Sequence, residues 1–445
     1  MVPSTTSGGA QVRTEPIDTV GLEPDTFLTS QNARVKMKSD DGKGMKIWFF
    51  GHFGSTNFGN EISLQTMLFH VHRFLPAAKV ACICSYPAVL AESRHIETVP
   101  IRRAIVRPWN LRTRLAKLLR NVFISIPSEL YRWIDAFRTL KGADMLIIPG
   151  TGLLTDAYGL ENWGPYSLFK WSMAAKLRGC RLLFVSVGAG PLYSALGRYF
   201  VKSALFMADF RSYRDNPSLN CLNKIGLQTN GDRLYPDLVF SAPETILPKK
   251  ADKRSNRMVV GLGLMDYAGK YSVANPTNAI YTSYLQCLTV FVKWLLSHEY
   301  DVRLLLGEAG DTTCVSDFKS VLESSLGTYD EERIIDEPAH SVEQLLAQIA
   351  ATDVVVATRF HNVLLSLLLD KPVVAISFHH KCASLMSDMG LSQYTHDIND
   401  MNADRLIEQF QDAERSAEVL KPAIRQKIEQ ARRALDEQYD LIFKA

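Results

Sequence analysis

The strongest chemical signal in the sequence is the pair Arg359 and His361, which directly follows the apolar run 354–357. Residues two positions apart in an extended chain project to the same side, so a permanent cation and a titratable imidazole would lie together. An apolar helix is predicted to begin beside them at Asn362, and a helix N-terminus attracts negative charge. This combination is typical of a site that binds an anionic substrate and exchanges a proton with it. The structural alternative is a histidine that caps the helix.

Two further cations follow predicted strands in the same way. Arg214 comes directly after the strand 211–213, and Lys381 follows the strand 373–376. A guanidinium at the carboxyl end of a strand can bind a carboxylate or a phosphate through two parallel hydrogen bonds. The structural alternatives are a salt bridge between Arg214 and Asp215 at a helix cap, and a solvated loop around Lys381.

A glycine-rich segment, 51–61, joins the first predicted strand to the first predicted helix. Glycines allow close approach of the backbone, and the free N–H groups of a helix start can bind an anion or a sugar hydroxyl. A tight turn needs fewer polar residues than this segment contains, so its polar side chains are candidate substrate contacts. They are His52, Asn57, Asn60 and Glu61. The glycine spacing is not G-x-G-x-x-G, and we therefore expect no dinucleotide site.

Small residues also end two other predicted strands. Gly150, Thr151 and Gly152 follow one of them, and the run 188–191 follows the next. Pro191 lacks an amide hydrogen, so this run is expected to line a cleft rather than to bind phosphate. Three such strand ends in one domain predict a broad ligand surface at the carboxyl edge of a parallel sheet.

Parallel α/β units are predicted to position these groups, because short β-branched or aromatic runs alternate with helical periodicity from Met45 onward. We expect two Rossmann-like domains that face each other across a cleft, followed by C-terminal helices. The predicted segments are a flexible leader at 1–44, domains at 45–245 and 257–398, and helices at 399–445. Pro422 is expected to break the helical tail.

The chain of 445 residues has 50 lysines and arginines against 47 acidic residues, a formal net charge of +3. That near balance argues against a general nucleic-acid-binding protein. The segment 101–120, however, holds seven basic residues and no acidic one, and leucines are interleaved with them. A basic amphipathic helix of this kind is typical of binding to an anionic membrane surface. The alternative is a solvated helix face with its leucines in the core.

Seven cysteines are scattered through strand and helix patterns, an odd number that does not suggest a disulfide framework. We expect reduced core thiols in a cytoplasmic protein, peripheral at the inner face of the membrane if segment 101–120 binds lipid. No cluster of cysteines and histidines completes a metal site, and none is predicted. The leader 1–44 lacks the apolar core of a signal peptide, and no apolar run approaches the ~18 residues of a membrane span.

Seven motifs occur in a fixed order along the chain. They are Asn57 to Glu61 (N-x-G-N-E), Gly150 to Asp156 (G-x-G-L-L-x-D), Gly188 to Pro191 (G-x-G-P), Arg214 to Ser218 (R-D-x-x-S), Pro236-Asp237, Arg359 to His361 (R-x-H) and Lys381. In order and spacing, this set resembles the polysaccharide pyruvyl transferase family over about residues 45–395.

The resemblance implies a fold like that of the B-type glycosyltransferases. It also implies transfer of the pyruvyl unit of phosphoenolpyruvate to sugar hydroxyls of a polysaccharide or its lipid-linked precursor, commonly as a ketal. Arg214, Arg359 and His361 match the family's phosphoenolpyruvate-binding and catalytic positions, and Lys381 matches its late basic position. Phosphoenolpyruvate would be a co-substrate held by the second domain and the saccharide acceptor would be held by the first, with no further cofactor.

Two other functions are compatible with the same architecture. A nucleotide-sugar-dependent glycosyltransferase of exopolysaccharide synthesis commonly presents a carboxylate to the ribose hydroxyls from the second domain. The corresponding stretch, 362–369, contains no acidic residue, which weakens this alternative. A non-catalytic binding protein is the third possibility, and the presence of Arg214, Arg359 and His361 together argues against it.

Overall fold

The computed structural model describes residues 44–55, 57–105, 124–156, 164–248, 257–267, 279–326 and 330–444. Two parallel β-sheets, one in each half of the chain, alternate with helices. The predicted α/β architecture with two Rossmann-like halves is therefore confirmed. Most of the leader 1–44 and residues 106–120 of the basic segment lie outside the described residues.

The first sheet has seven strands. They are β1 (Lys46–Gly51), β2 (Lys79–Cys84), β3 (Glu97–Pro100), β4 (Met145–Pro149), β5 (Arg181–Val187), β6 (Phe210–Tyr213) and β7 (Arg233–Leu234). Their order in the sheet is β3-β2-β1-β4-β5-β6-β7, and all pairs are parallel. Every residue of β4 is buried, as expected for a central strand covered by helices on both faces. The strand order reverses between β1 and β4, which is where doubly wound sheets bind ligands.

The second sheet repeats this plan with six strands. They are β8 (Val259–Leu264), β9 (Asp301–Leu306), β10 (Ile334–Ile335), β11 (Val354–Ala357), β12 (Val373–Ser377) and β13 (Thr395–Asp397). Their order is β10-β9-β8-β11-β12-β13, again parallel throughout. The order reverses between β8 and β11, so the end of β11 is the corresponding ligand-binding position.

The helices connect the strands and begin with side-chain caps at several positions. They are α1 (Phe58–Phe74), α2 (Pro87–Arg94), α3 (Ile126–Thr139), α4 (Gly164–Leu177), α5 (Ala195–Phe206), α6 (Asn216–Lys224), α7 (Ala279–Ser297), α8 (Thr312–Leu326), α9 (Val342–Ala350), α10 (Phe360–Leu368), α11 (His380–Asp388), α12 (Ala403–Arg415) and α13 (Ala417–Phe443). Asn57, Ser194 and Asp215 each accept a hydrogen bond from a first-turn amide and so cap α1, α5 and α6. These caps fix where the helices begin relative to the preceding strand ends.

One described helix, α7, is long and apolar enough to cross a membrane by length and composition alone. Its buried residues include Tyr284, Leu288 and Phe291, and the helix packs against β9, α8 and α12. Packing in the core of the second half therefore accounts for the apolar composition of α7.

The C-terminal helix α13 returns from the second half of the chain to the first. The Tyr439 ring stacks on His70 of α1 with the ring centroids 4.0 Å apart. The side chain of Gln438 accepts a hydrogen bond from the Ser212 hydroxyl of β6 at 2.5 Å. Gln438 and Tyr439 are both buried, so the end of the chain completes the core of the first half.

The predicted break of the helical tail at Pro422 is wrong. Helix α13 runs through Pro422, and the tail is interrupted instead at Ser416, between α12 and α13. Proline removes one hydrogen bond to the carbonyl four residues back, and a helix of 27 residues that packs along both halves tolerates that loss near its start.

Candidate active site

Residues at the carboxyl ends of the two sheets meet across a cleft. The amide of Phe58, at the start of α1, donates to the carbonyl of Gly307, which follows β9, at 3.3 Å. The preceding residue, Asn57, forms an isolated antiparallel bridge with Glu308. The glycine-rich segment after β1 thus touches the second half of the chain directly.

His361 lies in the first turn of α10, and its ring covers the backbone of Gly59 in α1. A Cβ atom added to Gly59 would lie 2.0 Å from Nδ1 of His361, so only glycine fits beneath this imidazole. The other ring nitrogen, Nε2, is buried and has no hydrogen-bond partner among the described residues. Because buried polar atoms are normally hydrogen-bonded, this nitrogen is available to a ligand.

The electrostatic surroundings keep His361 neutral. Burial is the largest cause that lowers its pKa to about 3, and the positive charges of Arg214, Lys381 and Arg359 lower it further. At physiological pH the imidazole therefore has a lone pair that can accept a proton. An anion bound beside these cations would offset their effect and raise the pKa.

Arg214 follows β6 and reaches toward the second half. Its Nη1 donates to Oδ2 of Asp237 at 3.0 Å, and its Cζ lies 4.8 Å from the ring centroid of Phe360. The guanidinium lies on the backbone of Gly188, where a Cβ atom would be 2.7 Å from Nε. Nε makes no hydrogen bond within the described part of the chain, although a carboxylate oxygen of Asp215 is 3.4 Å away. The salt bridge to Asp215, which was the structural alternative, is therefore present, and it still leaves one guanidinium donor for a ligand.

Lys381 lies in the first turn of α11, directly after β12, and not in a solvated loop. Its Nζ is 3.4 Å from the position that a Cβ atom on Gly152 would take. Burial and the nearby charge of Arg214 lower the pKa of Lys381 to about 8. The hydroxyl of Thr151, next to Gly152, is also buried without a hydrogen-bond partner in the described ranges. A cation of the second half thus faces the glycine loop that follows β4.

A cavity of about 340 Å³ opens beside Arg214 and Lys381. Its walls include the rings of Tyr235 and Phe360, and α13 contributes Lys427. Both halves of the chain and the returning helix therefore shape this space. Its volume lies at the lower end of the range for small-molecule sites.

Arg359 has different partners from those that its sequence context predicts. Its guanidinium binds the two carboxylate oxygens of Asp311 at 2.8 and 2.5 Å, and it binds Glu308 at 3.1 Å. Asp311 is fully buried, so two carboxylates already balance the charge of this arginine. Helix α10 begins between Arg359 and His361, so the alternation of an extended strand does not relate their side chains, although the charge of Arg359 still lowers the pKa of His361. Asp311 and Glu308 are site residues that the sequence analysis missed.

Asn57 and Asn60 hold the shape of the glycine-rich segment. The Asn57 side chain accepts from the amide of Asn60 at 3.3 Å, and the Asn60 side-chain amide donates to the carbonyl of His52 at 3.3 Å. His52 itself is exposed, and its Nδ1 lies 2.7 Å from the hydroxyl of Ser85. Two of the predicted contacts therefore organise the loop, and His52 is exposed to solvent.

Glu61 has an unusual protonation equilibrium. Its carboxylate accepts a hydrogen bond from the amide of Ser55 at 3.2 Å, and burial raises its pKa to about 7. A carboxyl group with this pKa can exchange a proton near neutral pH. Glu61 is thus a second titratable group on the glycine-rich segment, two residues from Gly59.

Two predicted contacts lie beneath the cleft surface. Asn362 is fully buried, with its side-chain nitrogen 3.5 Å from the carbonyl of Leu305, and its Oδ1 has no partner among the residues described. Gly150 is also buried, and it packs against Leu238. Both residues support the strand ends from below.

Two other motif residues hold loops in place. The carboxylate of Asp156 accepts from the amides of Tyr193 and Ser194 at 2.7 and 2.8 Å, which fixes the start of α5. The hydroxyl of Ser218 accepts from the amide of Ala189 at 2.9 Å. The R-D-x-x-S motif thereby fixes the G-x-G-P loop that carries Gly188.

A family model described as polysaccharide pyruvyl transferase matches residues 57–380, more than two thirds of the chain. The matched region begins at the cap of α1 and includes Arg214, Arg359 and His361. Among curated protein sequences, none matches the chain.

Several solved structures share the fold. A Listeria monocytogenes protein described as a UDP-N-acetylglucosamine 2-epimerase has a TM-score of 0.59 and 10% identity, over 90% of this chain and 98% of that chain. Anabaena HepE in complex with UDP-glucose has a TM-score of 0.52 and 14% identity, over 88% and 99%. The UDP-GlcNAc 2-epimerase from Methanocaldococcus jannaschii has a TM-score of 0.51 and 10% identity, over 82% and 92%. At such identities the similarity is one of fold, and it is the two-domain B-type glycosyltransferase fold.

Proposed function

The chain belongs to the polysaccharide pyruvyl transferase family, and from that membership we propose that it transfers the pyruvyl unit of phosphoenolpyruvate to hydroxyls of a saccharide, forming a ketal. Three groups in one cleft carry this proposal. They are the neutral imidazole of His361 with its unpartnered Nε2, the guanidinium of Arg214 and the ammonium of Lys381. The acceptor is a polysaccharide or its lipid-linked precursor.

The cations suit the donor. Phosphoenolpyruvate carries a carboxylate and a phosphate ester on one small carbon skeleton, so its site needs positive charge on more than one side. Arg214 offers a guanidinium donor, and Lys381 faces the cleft from the opposite half of the chain. Fixed positive charge beside the phosphate stabilises the negative charge that develops as the phosphate leaves.

The reaction balances without a further reactant. The methylene carbon of phosphoenolpyruvate gains a proton and becomes a methyl group, and the oxygen of the first sugar hydroxyl bonds to the central carbon. The bond between that carbon and the phosphate oxygen breaks, and a second hydroxyl of the same sugar closes the ketal. The two sugar hydroxyls release two protons. One balances the proton that the methylene carbon gains, and the other leaves with the phosphate or enters the solvent.

His361 suits the proton transfers in this sequence. Its imidazole is neutral before an anion binds, so it can take a proton from the attacking hydroxyl as a general base. The charge of phosphoenolpyruvate would then raise the pKa of His361, so that the imidazolium can hold the proton and pass it to the methylene carbon.

The proposal is tested by incubating the protein with phosphoenolpyruvate and candidate lipid-linked oligosaccharides. We expect release of inorganic phosphate together with a pyruvyl adduct in the mass spectrum of the acceptor. A parallel incubation with UDP- and GDP-sugars is the control, and no nucleoside diphosphate should be released. Transfer of a sugar with release of UDP or GDP would instead identify a glycosyltransferase.

The affinity for phosphoenolpyruvate is expected to fall as pH rises through about 8. Burial lowers the pKa of Lys381 to about 8, so the ammonium loses its charge there while the substrate phosphate, with a second pKa of about 6, stays fully ionised. In Lys381→Arg the charge persists, so the KM for phosphoenolpyruvate should stay flat between about pH 7 and 9. The pH profile of KM for both proteins measures this, and parallel profiles would contradict the role of Lys381.

Asp311→Asn is expected to lower the free energy of unfolding by about 3 kcal/mol, because it leaves a buried arginine short of a partner. If Arg359 acts by positioning, Arg359→Lys should show a similar loss of stability, and neither variant should change the dissociation constant for phosphoenolpyruvate. Denaturant unfolding and calorimetric titration measure the two quantities. A weaker binding of phosphoenolpyruvate in Arg359→Lys alone would make Arg359 a direct ligand.

A reducing compartment suits the thiols. All seven cysteines are free, and six of them are buried. We therefore propose that the reaction takes place in the cytoplasm.

A further inference from the structure

Helices α3, α4 and α5 cover one side of the first sheet, and each also presents apolar side chains to solvent. The residues in question are between 48% and 84% exposed. They are Ile126, Leu130 and Ile134 of α3, Leu177 of α4, and Leu196, Tyr199 and Phe206 of α5, and we call them the outer face. On α3 they recur every four residues, which aligns them along one side of the helix. An apolar stripe exposed to solvent is unusual for a surface helix.

The three helices form one continuous surface. Helix α4 packs against both α3 and α5. Aromatic rings connect them, because Trp133 of α3 lies 6.4 Å from Phe169 of α4, and Phe169 lies 5.3 Å from Phe200 of α5, between ring centroids. Apolar patches of this extent on a soluble protein mark a surface that binds something.

The charge around the outer face is mainly positive, because its acidic residues Glu129, Asp135 and Asp209 each form an ion pair with a lysine or arginine. Residues 164–208, which include α4 and α5, contain six lysines and arginines and no acidic residue. Arg178 and Arg198 in this range are exposed. On the other flank, Arg102 and Arg103 are exposed at the start of the basic segment. An apolar centre with a cationic border complements an anionic surface.

We propose that the outer face docks on an anionic phospholipid bilayer. Its leucines, isoleucines and aromatic rings would enter the headgroup region, and the surrounding arginines and lysines would contact lipid phosphates. A second copy of this chain is the alternative occupant, and it fits less well because a symmetric contact would bring two cationic borders together. This inference uses described residues alone, and of segment 101–120 it uses only Arg102 and Arg103.

Docking would place the cleft near the bilayer. Helix α5 begins four residues after Pro191 of the G-x-G-P loop, and Tyr193 between them is 71% exposed. The surface that binds lipid would thus adjoin the loop that carries Gly188, on which the guanidinium of Arg214 lies. This placement would present a lipid-linked acceptor to the cleft, and that role rests on the proposed function. Bilayer binding itself does not.

The test is co-sedimentation with phosphatidylcholine vesicles that contain or lack phosphatidylglycerol. The full chain should bind vesicles with phosphatidylglycerol, and added salt should weaken the binding. The triple variant Leu196→Ser, Tyr199→Ser, Phe206→Ser should bind at least about tenfold less, because insertion scales with buried apolar area. The matched control is Val290→Ser, Val419→Ser, which removes exposed apolar side chains from α7 and α13 and should bind like the wild type.

Three results would overturn the proposal. Equal vesicle binding by the wild type and the triple variant would show that the outer face does not insert, and so would an equal loss in the control variant. A concentration-dependent dimer that the triple variant dissociates, without vesicle binding by the wild type, would assign the face to a second copy. Because these readouts do not involve phosphoenolpyruvate, a failure here is distinct from a failure of the proposed function. Thermal unfolding of the variants checks that each is folded.

Discussion

Pyruvyl transfer by the His361→Gln variant is expected to be about 10²–10⁴-fold slower than by the wild type, the contribution typical of a general acid–base group. Glutamine occupies similar space, but its amide does not exchange a proton near neutral pH. Because the pKa of His361 is lowered to about 3, its replacement removes no positive charge from the donor site. The turnover number should therefore fall while the dissociation constant for phosphoenolpyruvate changes little. Phosphate-release kinetics and calorimetric titration measure the two quantities separately.

The same variant has a readout that does not involve catalysis. The pKa of His361 lies below its value of about 6.5 in the unfolded chain, so the unfolded state takes up the proton first as pH falls. The contribution of His361 to the free energy of unfolding therefore decreases as pH falls from about 6.5 toward 3. The glutamine variant should lack this contribution to the loss of stability in acid. Denaturant titrations at neutral and acidic pH measure the difference. A variant with wild-type turnover would refute the catalytic role of His361.

Gly59→Ala is expected to lower the turnover number by about 10²-fold or more, since a displacement of about 1 Å in a catalytic constellation has an effect of this size. The added methyl group would lie 2.0 Å from Nδ1 of His361. Neither side can move freely, because Gly59 is held in the first turn of α1 and His361 in the first turn of α10. The substitution must therefore separate the two halves of the chain at this contact or displace the imidazole. Steady-state kinetics with phosphoenolpyruvate and acceptor measure the loss.

Two controls separate this contact from an effect on the helix itself. Alanine is favoured over glycine within a helix by about 1 kcal/mol, so Gly59→Ala would not weaken α1 in isolation. Gly164→Ala, at the start of α4, meets no atom within 4 Å and should leave activity unchanged. In a double-mutant cycle for stability, His361→Ala should relieve the destabilisation by Gly59→Ala. Additive effects in that cycle would show that the two residues do not touch.

Sequence patterns predicted the strands whose own residues show the apolar pattern of a buried strand. The predicted strands 354–357 and 373–376 are present as β11 and β12, because short apolar runs between turn signals are typical of buried parallel strands. The short strands β3, β7 and β13 were not predicted. All three lie at sheet edges, and neither β3 nor β7 has a buried residue, so these strands lack the apolar pattern of a central strand.

Such patterns did not predict which residues the charged side chains pair with. Arg359 follows its strand as predicted, but its main partner, Asp311, precedes it by 48 residues and has no motif of its own. In the sequence, the arginine therefore looks like a free cation at a strand end. The close fit of His361 on Gly59 was likewise hidden, because it depends on how the two sheets face each other. The motif order nevertheless predicted that Arg359 and His361 belong to one site.

The return of α13 to the first half also sets the order in which the protein can be completed during synthesis. The hydroxyl of Ser212 bonds to Gln438, which the ribosome adds 226 residues later. At ~5–20 residues per second, that interval is roughly 11 to 45 s. During this time the second half can fold, while the first half, although made earlier, still lacks the buried side chains Gln438 and Tyr439. The core of the N-terminal half is therefore completed only after the C-terminal helix has been made.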